Sequence, residues 1–72
     1  MADERAIRAA ANALSTHAIY SSDKAERLRA IRGLARLVRD SPEAAHTLTT
    51  IANYSSDPEL KRAALDALSG ED

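Results

Sequence analysis

The chain has 72 residues, a formal net charge of −1 and no cysteine. This length predicts one domain, residues 1–72, near the lower limit for a self-sufficient core. The lack of cysteine excludes disulfides, thiolate metal sites and a cysteine nucleophile. No apolar run approaches the ~20 residues of a membrane span. The charged start of the chain is not followed by the apolar stretch of a signal peptide. We therefore expect a cytoplasmic protein.

The apolar content is large in number but small in volume. Apolar residues make up 44% of the chain, yet sixteen of them are Ala, and the large aliphatic residues are eight Leu, four Ile and one Val, without Phe or Trp. Ala buries little area but has the highest helix propensity. The sequence therefore predicts a thin helical core, which favours support from oligomerisation or from a larger array.

Asp3 predicts the N-cap of a first helix that runs to about Tyr20. Its inward stripe, at spacings of three and four, comprises Ile7, Ala10, Ala11, Leu14 and Ala18. After the break at Ser21-Ser22, Asp23 predicts the next N-cap, with Glu26 completing a capping box. This second helix is expected to end at Asp40. Its inward residues are Leu28, Ile31, Leu34, Ala35 and Val38.

Ser41-Pro42 and Asp57-Pro58 predict the starts of a third and a fourth helix, since each pair places a capping side chain before a proline at the first helical position. Gly70 suits the left-handed position after the last helix. The inward residues are Ala44, Ala45, Leu48, Ile51 and Ala52 in the third helix and Leu60, Ala64, Ala67 and Leu68 in the fourth. No segment alternates with period two. We expect an all-α fold of four short helices in two tandem hairpins, residues 3–39 and 41–70.

A repeat with a period of 34 residues supports this division. The tetrapeptide Tyr-Ser-Ser-Asp occurs at residues 20–23 and again at 54–57, and at this offset residues 9–38 and 43–72 share eleven identities in thirty. A fixed period between 20 and 50 residues is typical of stacked helical hairpins.

Residues 57–68 read Asp-Pro-Glu-Leu-Lys-Arg-Ala-Ala-Leu-Asp-Ala-Leu. They resemble the second helix of a HEAT-type repeat, which commonly reads Asp-Pro-x-Val/Leu-Arg/Lys-x-x-Ala-x-x-x-Leu. Asp23 with Leu28, Arg29 and Ile31 resembles a looser copy. The period of 34 is instead typical of tetratricopeptide repeats, the second resemblance, although their aromatic residues are missing here. Either resemblance implies a protein-binding scaffold and no chemistry, cofactor or metal.

A stripe of arginines is the first candidate binding surface. Arg29, Arg32, Arg36 and Arg39 follow one another at spacings of three, four and three, and Lys24 and Arg27 extend the charge. The stripe has three interpretations: a solvated flank of the core, a surface for an acidic protein partner, or a surface that tracks nucleic-acid phosphates. The net negative charge and the absence of interleaved aromatic residues argue against nucleic acid. A DNA-reading helix-turn-helix at residues 50–62 is explained better by the repeat.

Tyr20 and Tyr54 are the only aromatic residues, at equivalent positions of the two units. We expect their rings to seal the hairpins; the alternative is a pair of binding anchors. His17 aligns with the apolar Ile51, which predicts a partly buried imidazole. Gly33, inside the second helix, predicts the close approach of another helix backbone.

No catalytic or metal-binding motif accompanies these residues. His17 and His46 lack a ligand at i+3 or i+4, and the two glycines form neither a phosphate loop nor an oxyanion-forming loop. We therefore expect no enzyme activity.

The leading hypothesis is a protein–protein interaction module, and the alternative is a nucleic-acid-associated protein that uses the arginines. Residues 1–39 carry a charge balance of +4 and residues 40–72 one of −5. We also expect a homodimer that persists at high salt, in which the stripe of one copy faces acidic residues of the other. These are Asp40, Glu43, Asp57 and Glu59.

Overall fold

Four α-helices account for most of the chain. The computed structural model describes residues 3–70; residues 1, 2, 71 and 72 of the predicted domain lie outside them. The helices are α1 (Glu4–Tyr20), α2 (Lys24–Leu37), α3 (Pro42–Tyr54) and α4 (Pro58–Ser69), and residues 3–70 contain no strand. The all-α fold predicted from the sequence is confirmed.

Each helix begins where its capping residue predicts. A side-chain oxygen of the preceding residue accepts a hydrogen bond from a backbone N–H in the first turn, which satisfies one of the unpaired donors there. The four capping residues are Asp3, Asp23, Ser41 and Asp57. At the other end of the chain, Gly70 has φ of +83°, and its N–H donates to carbonyls of the last turn of α4.

The second helix is shorter than expected. It ends at Leu37 rather than Asp40, and the Asp40 N–H donates to the Leu37 carbonyl at 3.0 Å in a tight turn. Ser41 must be extended, with φ −133° and ψ 110°, because a residue before proline is excluded from the helical region. The chain therefore leaves the helix a turn early to reach that conformation.

The helices form two antiparallel hairpins, α1 with α2 and α3 with α4, and the hairpins pack on each other. Helix α2 lies against α4 and α3, and α1 lies against α3, while α1 and α4 do not meet within residues 3–70. The Cα atoms span 35 × 24 × 17 Å. Consequently, the two second helices lie side by side and leave one long groove between them.

The core is thin, as the composition predicts. Seven of its twelve buried apolar residues are Ala, and the largest fully buried side chains are Ile31, Leu34, Leu48 and Leu60. The predicted core is wrong at two positions, because Ala10 and Leu68 are exposed. Ala10 belongs to the outer side of α1, and Leu68 lies in the last hairpin, which has no further hairpin stacked on it in the described part of the chain.

A polar contact joins α1 to α3 at the edge of this core. The hydroxyl groups of Ser15 and Thr47 are 2.7 Å apart, and Thr47 is buried although the apolar stripe of α3 did not include it. Because each hydroxyl satisfies the other, a buried polar side chain is tolerated between the first helices of the two hairpins.

Gly33 makes room for a side chain and not for a helix backbone, which corrects the expectation. A Cβ atom at Gly33 would lie 3.0 Å from both methyl carbons of Leu14 in α1. Ordinary carbon–carbon contacts are about 3.5–4.0 Å. The glycine therefore lets α1 and α2 pack with Leu14 directly over the α2 backbone.

Candidate functional site

The arginine stripe predicted from the sequence lies on the solvent face of α2. At 100° per residue, the side chains of Arg29, Arg32 and Arg36 fall within about 60° of one another, and Arg39 follows in the turn after α2. All four residues are exposed, and within residues 3–70 none of their guanidinium groups forms an ion pair or a hydrogen bond. We call these four residues the arginine ridge.

A groove of about 690 Å³ runs beside the ridge, between α2 and α4. Arg32 and Arg36 stand on its α2 side and Asp66 on its α4 side. Small or buried apolar residues form its floor: Ile31, Ala35, Ala63 and Ala67. Asp66 also has no ion-pair partner among the described residues. The site therefore combines an apolar floor with a cationic wall and one opposing carboxylate.

Lys24 does not belong to this surface, because its ammonium group joins the two hairpins. Its Nζ lies 2.8 Å from Glu59 Oε1 and 3.1 Å from Asp57 Oδ2, both in the second hairpin. The hydrogen bond to Glu59, and then that to Asp57, raises the pKa of Lys24 above its ordinary 10.5. The Lys24 hydrogen bond likewise lowers the pKa of Asp57 below its ordinary 3.8. Lys24 thus connects the two hairpins, and its role in binding stays a prediction.

Arg27 is also committed to the fold. Its Nε donates to the Ala18 carbonyl at 3.1 Å and its Nη2 to the Ile19 carbonyl at 3.2 Å. These are carbonyl groups of the last turn of α1, which have no partner within the helix. The cation therefore caps α1 and does not extend the ridge, so the free positive charge begins at Arg29.

The acidic residues expected to face a second copy of the chain mostly have partners already. Glu43 Oε1 lies 3.6 Å from Arg8 Nε, and Asp57 and Glu59 pair with Lys24. Of the four, only Asp40 is exposed without an ion pair within residues 3–70. Three of the four acidic residues expected to face the arginines of a second copy are therefore already paired within the chain.

Tyr20 and Tyr54 are exposed, at 79% and 82%. The interpretation that their rings seal the hairpins is wrong, because both rings lie in solvent. The alternative, that they are binding anchors, stays a hypothesis. The rest of the repeated tetrapeptide has a structural role: Ser21 and Ser55 accept the N–H of Asp23 and Asp57 at 3.1 and 3.2 Å.

The remaining polar candidates are engaged in local structure. His17 is exposed, not partly buried, and its Nδ1 lies 2.5 Å from Glu26 Oε1, so Glu26 does not complete the predicted capping box. Ser15 bonds to Thr47, and Ser41 caps α3. Among residues 3–70, no group of three His, Cys, Asp or Glu side chains could hold a metal ion.

Comparisons with protein-family models, with curated proteins and with solved structures find no match for this chain. None of the helices within residues 3–70 is long and apolar enough to cross a membrane. The arginine ridge and the groove beside it are therefore the features of the described residues that bear on function.

Proposed function

We propose that this chain is a non-enzymatic protein-binding module that presents the arginine ridge to an acidic partner. One observation carries the proposal: three exposed guanidinium groups share one face of α2, a fourth follows in the next turn, and no acidic side chain of residues 3–70 pairs with them. Like charges three or four residues apart on a helix destabilise it by about 0.2–0.5 kcal/mol per pair. A partner that supplies negative charge offsets this repulsion.

The proposed scaffold is a pair of HEAT-like hairpins. Support comes from the two connections: Ser21 and Asp23 make the same hydrogen bonds between α1 and α2 that Ser55 and Asp57 make between α3 and α4. Hairpins held by equivalent turns present their second helices side by side. A rigid pair of helices lowers the entropic cost of ordering a binding surface.

A comparative capture experiment tests the proposal. The immobilised wild-type chain is compared with an Arg32→Glu/Arg36→Glu variant and with a Lys61→Glu/Arg62→Glu control. Both variants replace two cations with two anions, so the net charge changes equally, but Lys61 and Arg62 lie on α4 outside the ridge. The same protein should be captured from native lysate by the wild type and the control and be lost from the ridge variant. Equal capture by all three chains contradicts the proposal.

The alternative function is association with nucleic acid, and the same ridge supports it, because clustered guanidinium groups neutralise phosphates. Against it stand the net charge of −1 and the carboxylate of Asp66 in the groove wall. Titration of mixed DNA and RNA across a salt series separates the two functions. Phosphate contacts give an affinity that falls steeply with salt and that the ridge variant abolishes.

We also propose the homodimer and the cytoplasmic location that the sequence predicts. Since three acidic counterparts are paired internally, self-association has to rest mainly on apolar side chains, of which Leu65 is the most exposed leucine at 52%. Sedimentation at low and at about 1 M salt tests the dimer, because apolar contacts survive the screening that removes exposed ion pairs. A monomer mass in both conditions contradicts it. Cell fractionation tests the location.

A further inference from the structure

We infer that the groove between α2 and α4 binds an acidic amphipathic helix of the partner protein. This inference rests on the proposed function and names the partner's chemistry. The helix places carboxylates along the arginine ridge, rests small apolar side chains on the groove floor, and turns one cation toward Asp66. Three features of the site lead to this occupant: the spacing of the ridge, the floor and the opposing carboxylate.

The ridge matches the repeat of a helix. From Arg29 to Arg36 the chain advances seven residues, about 10.5 Å along α2, with arginines separated by about 4.5 and 6 Å, and Arg39 lies in the turn that follows. A second helix returns to the same face every 5.4 Å. Carboxylates at spacings of three and four residues in the partner therefore meet successive guanidinium groups, and such charge-assisted hydrogen bonds are the strong ones.

The floor suits close approach of a helix. Ala35 and Ala63 are half-buried and present only a methyl group, and Ile31 and Ala67 close the space beneath them. The chain packs its own four helices across small residues of this kind, seven of its twelve buried apolar residues being Ala. A third helix laid over α2 and α4 would make the same kind of contact, with its small residues over the alanines.

Asp66 makes the two walls of the groove differ in charge. This difference orients a bound helix and disfavours a ligand that is uniformly negative. It is half-buried on the α4 side of the groove, across from Arg32 and Arg36, without an ion pair among residues 3–70. A phosphate chain would bring negative charge to both walls. A helix with carboxylates on one flank and a Lys or Arg on the other satisfies both walls, and the complementary charges orient it.

Synthetic peptides of about 18 residues, long enough to form a helix, test the inference against the full chain. The first peptide is Ala-rich, with Glu at positions matching the ridge and one Lys on the opposite flank. The second has the same composition in scrambled order, and the third probe is a single-stranded oligonucleotide of equal charge. Fluorescence anisotropy at about 0.15 M salt, where long-range charge effects are largely screened, should show the patterned peptide binding at least about tenfold tighter than the scrambled one.

Variants assign the effect to the groove. Arg32→Glu/Arg36→Glu should lose binding of the patterned peptide at least about tenfold, whereas Lys61→Glu/Arg62→Glu should retain it. Ala63→Gln fills the groove without a charge change and should weaken the patterned peptide alone. Asp66→Asn should remove the preference for the Lys-bearing peptide over a version with Gln in its place. Circular dichroism confirms that each variant remains folded.

The outcomes separate this inference from the proposed function. Equal binding of patterned and scrambled peptides overturns the helix while leaving an acidic protein partner in place. If no peptide binds but ridge-dependent capture from lysate persists, the helix is likewise overturned and the acidic protein partner stays in place. An oligonucleotide that binds more tightly than the patterned peptide, together with loss of ridge-dependent protein capture, overturns both.

Discussion

Replacing Gly33 with Ala has two opposing effects on the free energy of unfolding, a gain in helix propensity and a cost from crowding. Glycine inside a helix costs ~1 kcal/mol relative to Ala, so the substitution should stabilise α2 by that amount. The new methyl group would, however, lie 3.0 Å from the Leu14 Cδ1 and Cδ2 atoms. Crowding of this kind typically costs 1–3 kcal/mol. Taking about 2 kcal/mol for the crowding, we expect Gly33→Ala to lower the free energy of unfolding by about 1 kcal/mol.

The cause is isolated by a double-mutant cycle with Leu14→Ala. Truncating Leu14 removes both methyl groups that the new Cβ would meet. In that background only the helix-propensity gain remains, so Gly33→Ala should raise the free energy of unfolding by ~1 kcal/mol. The substitution thus changes sign, with a coupling energy of about 2 kcal/mol, within the range for residues in contact.

Urea denaturation followed by circular dichroism at 222 nm measures all four chains, with thermal unfolding as a check. For a domain of this size 1 kcal/mol corresponds to a Tm shift of roughly 4–8 °C. If Gly33→Ala has the same effect in both backgrounds, Leu14 is not what the glycine accommodates, and the packing argument fails. A stabilised single variant would show instead that Leu14 moves aside at little cost.

Replacing Leu48 with Ala should lower the free energy of unfolding by about 2–5 kcal/mol, since this side chain is fully buried; a smaller loss in urea denaturation would contradict that burial. Tyr20→Ala and Tyr54→Ala should each change it by less than about 0.5 kcal/mol, because both rings are exposed, and a larger loss would mean that the rings pack. The cluster of Lys24 with Glu59 and Asp57 raises the pKa of Lys24, first through the Glu59 hydrogen bond and then through that to Asp57, and the Lys24 hydrogen bond lowers the pKa of Asp57. Its stabilisation should therefore be complete at neutral pH, decline below pH 3.8 as the carboxylate protonates, and decline above pH 10.5 as the ammonium deprotonates. Thermal unfolding of wild type and Lys24→Met from pH 2 to 12 tests this, and a stability difference that stays constant across both limits would refute it.

The helix boundaries could be predicted because the signals that set them are local. A capping oxygen acts on N–H groups two or three residues away, so Asp23 and Asp57 identify their helices without knowledge of the fold. The end of α2 was missed by three residues, although its cause is also local. Ser41 before proline cannot be helical, and a tight turn is needed to reach it.

The partners of the charged residues could not be predicted in the same way. Lys24 reaches Asp57 and Glu59 only because the second hairpin packs on the first, and Glu26 reaches His17 only because α1 folds back on α2. Sequence spacing does not report contacts between residues that are far apart in the chain. Arg29, Arg32 and Arg36 do lie on one face, because their relative positions depend on α2 alone, whereas Arg39 follows the end of the helix.

The exposure of the Tyr20 ring could be predicted from the sequence. Tyr20 lies nine residues after the buried Ala11. At 100° per residue this is 900°, two full turns and a half, so Tyr20 lies on the side of α1 opposite the buried face. The exposure of its ring follows from that angle. Leu68 carries no such signal: it aligns with the fully buried Leu34, and its exposure depends on its place in the last hairpin.

The two units differ at the arginine ridge, and this difference bears on its role. Several residues that build the hairpins recur at the offset of 34, such as the capping aspartates. The ridge does not recur: the counterparts of Arg29, Arg32 and Arg36 are Ala, Asp and Gly. The second hairpin forms without these cations, so the hairpin architecture does not require them in the first. Their repulsion has no offset among residues 3–70, and the proposed acidic partner would provide one.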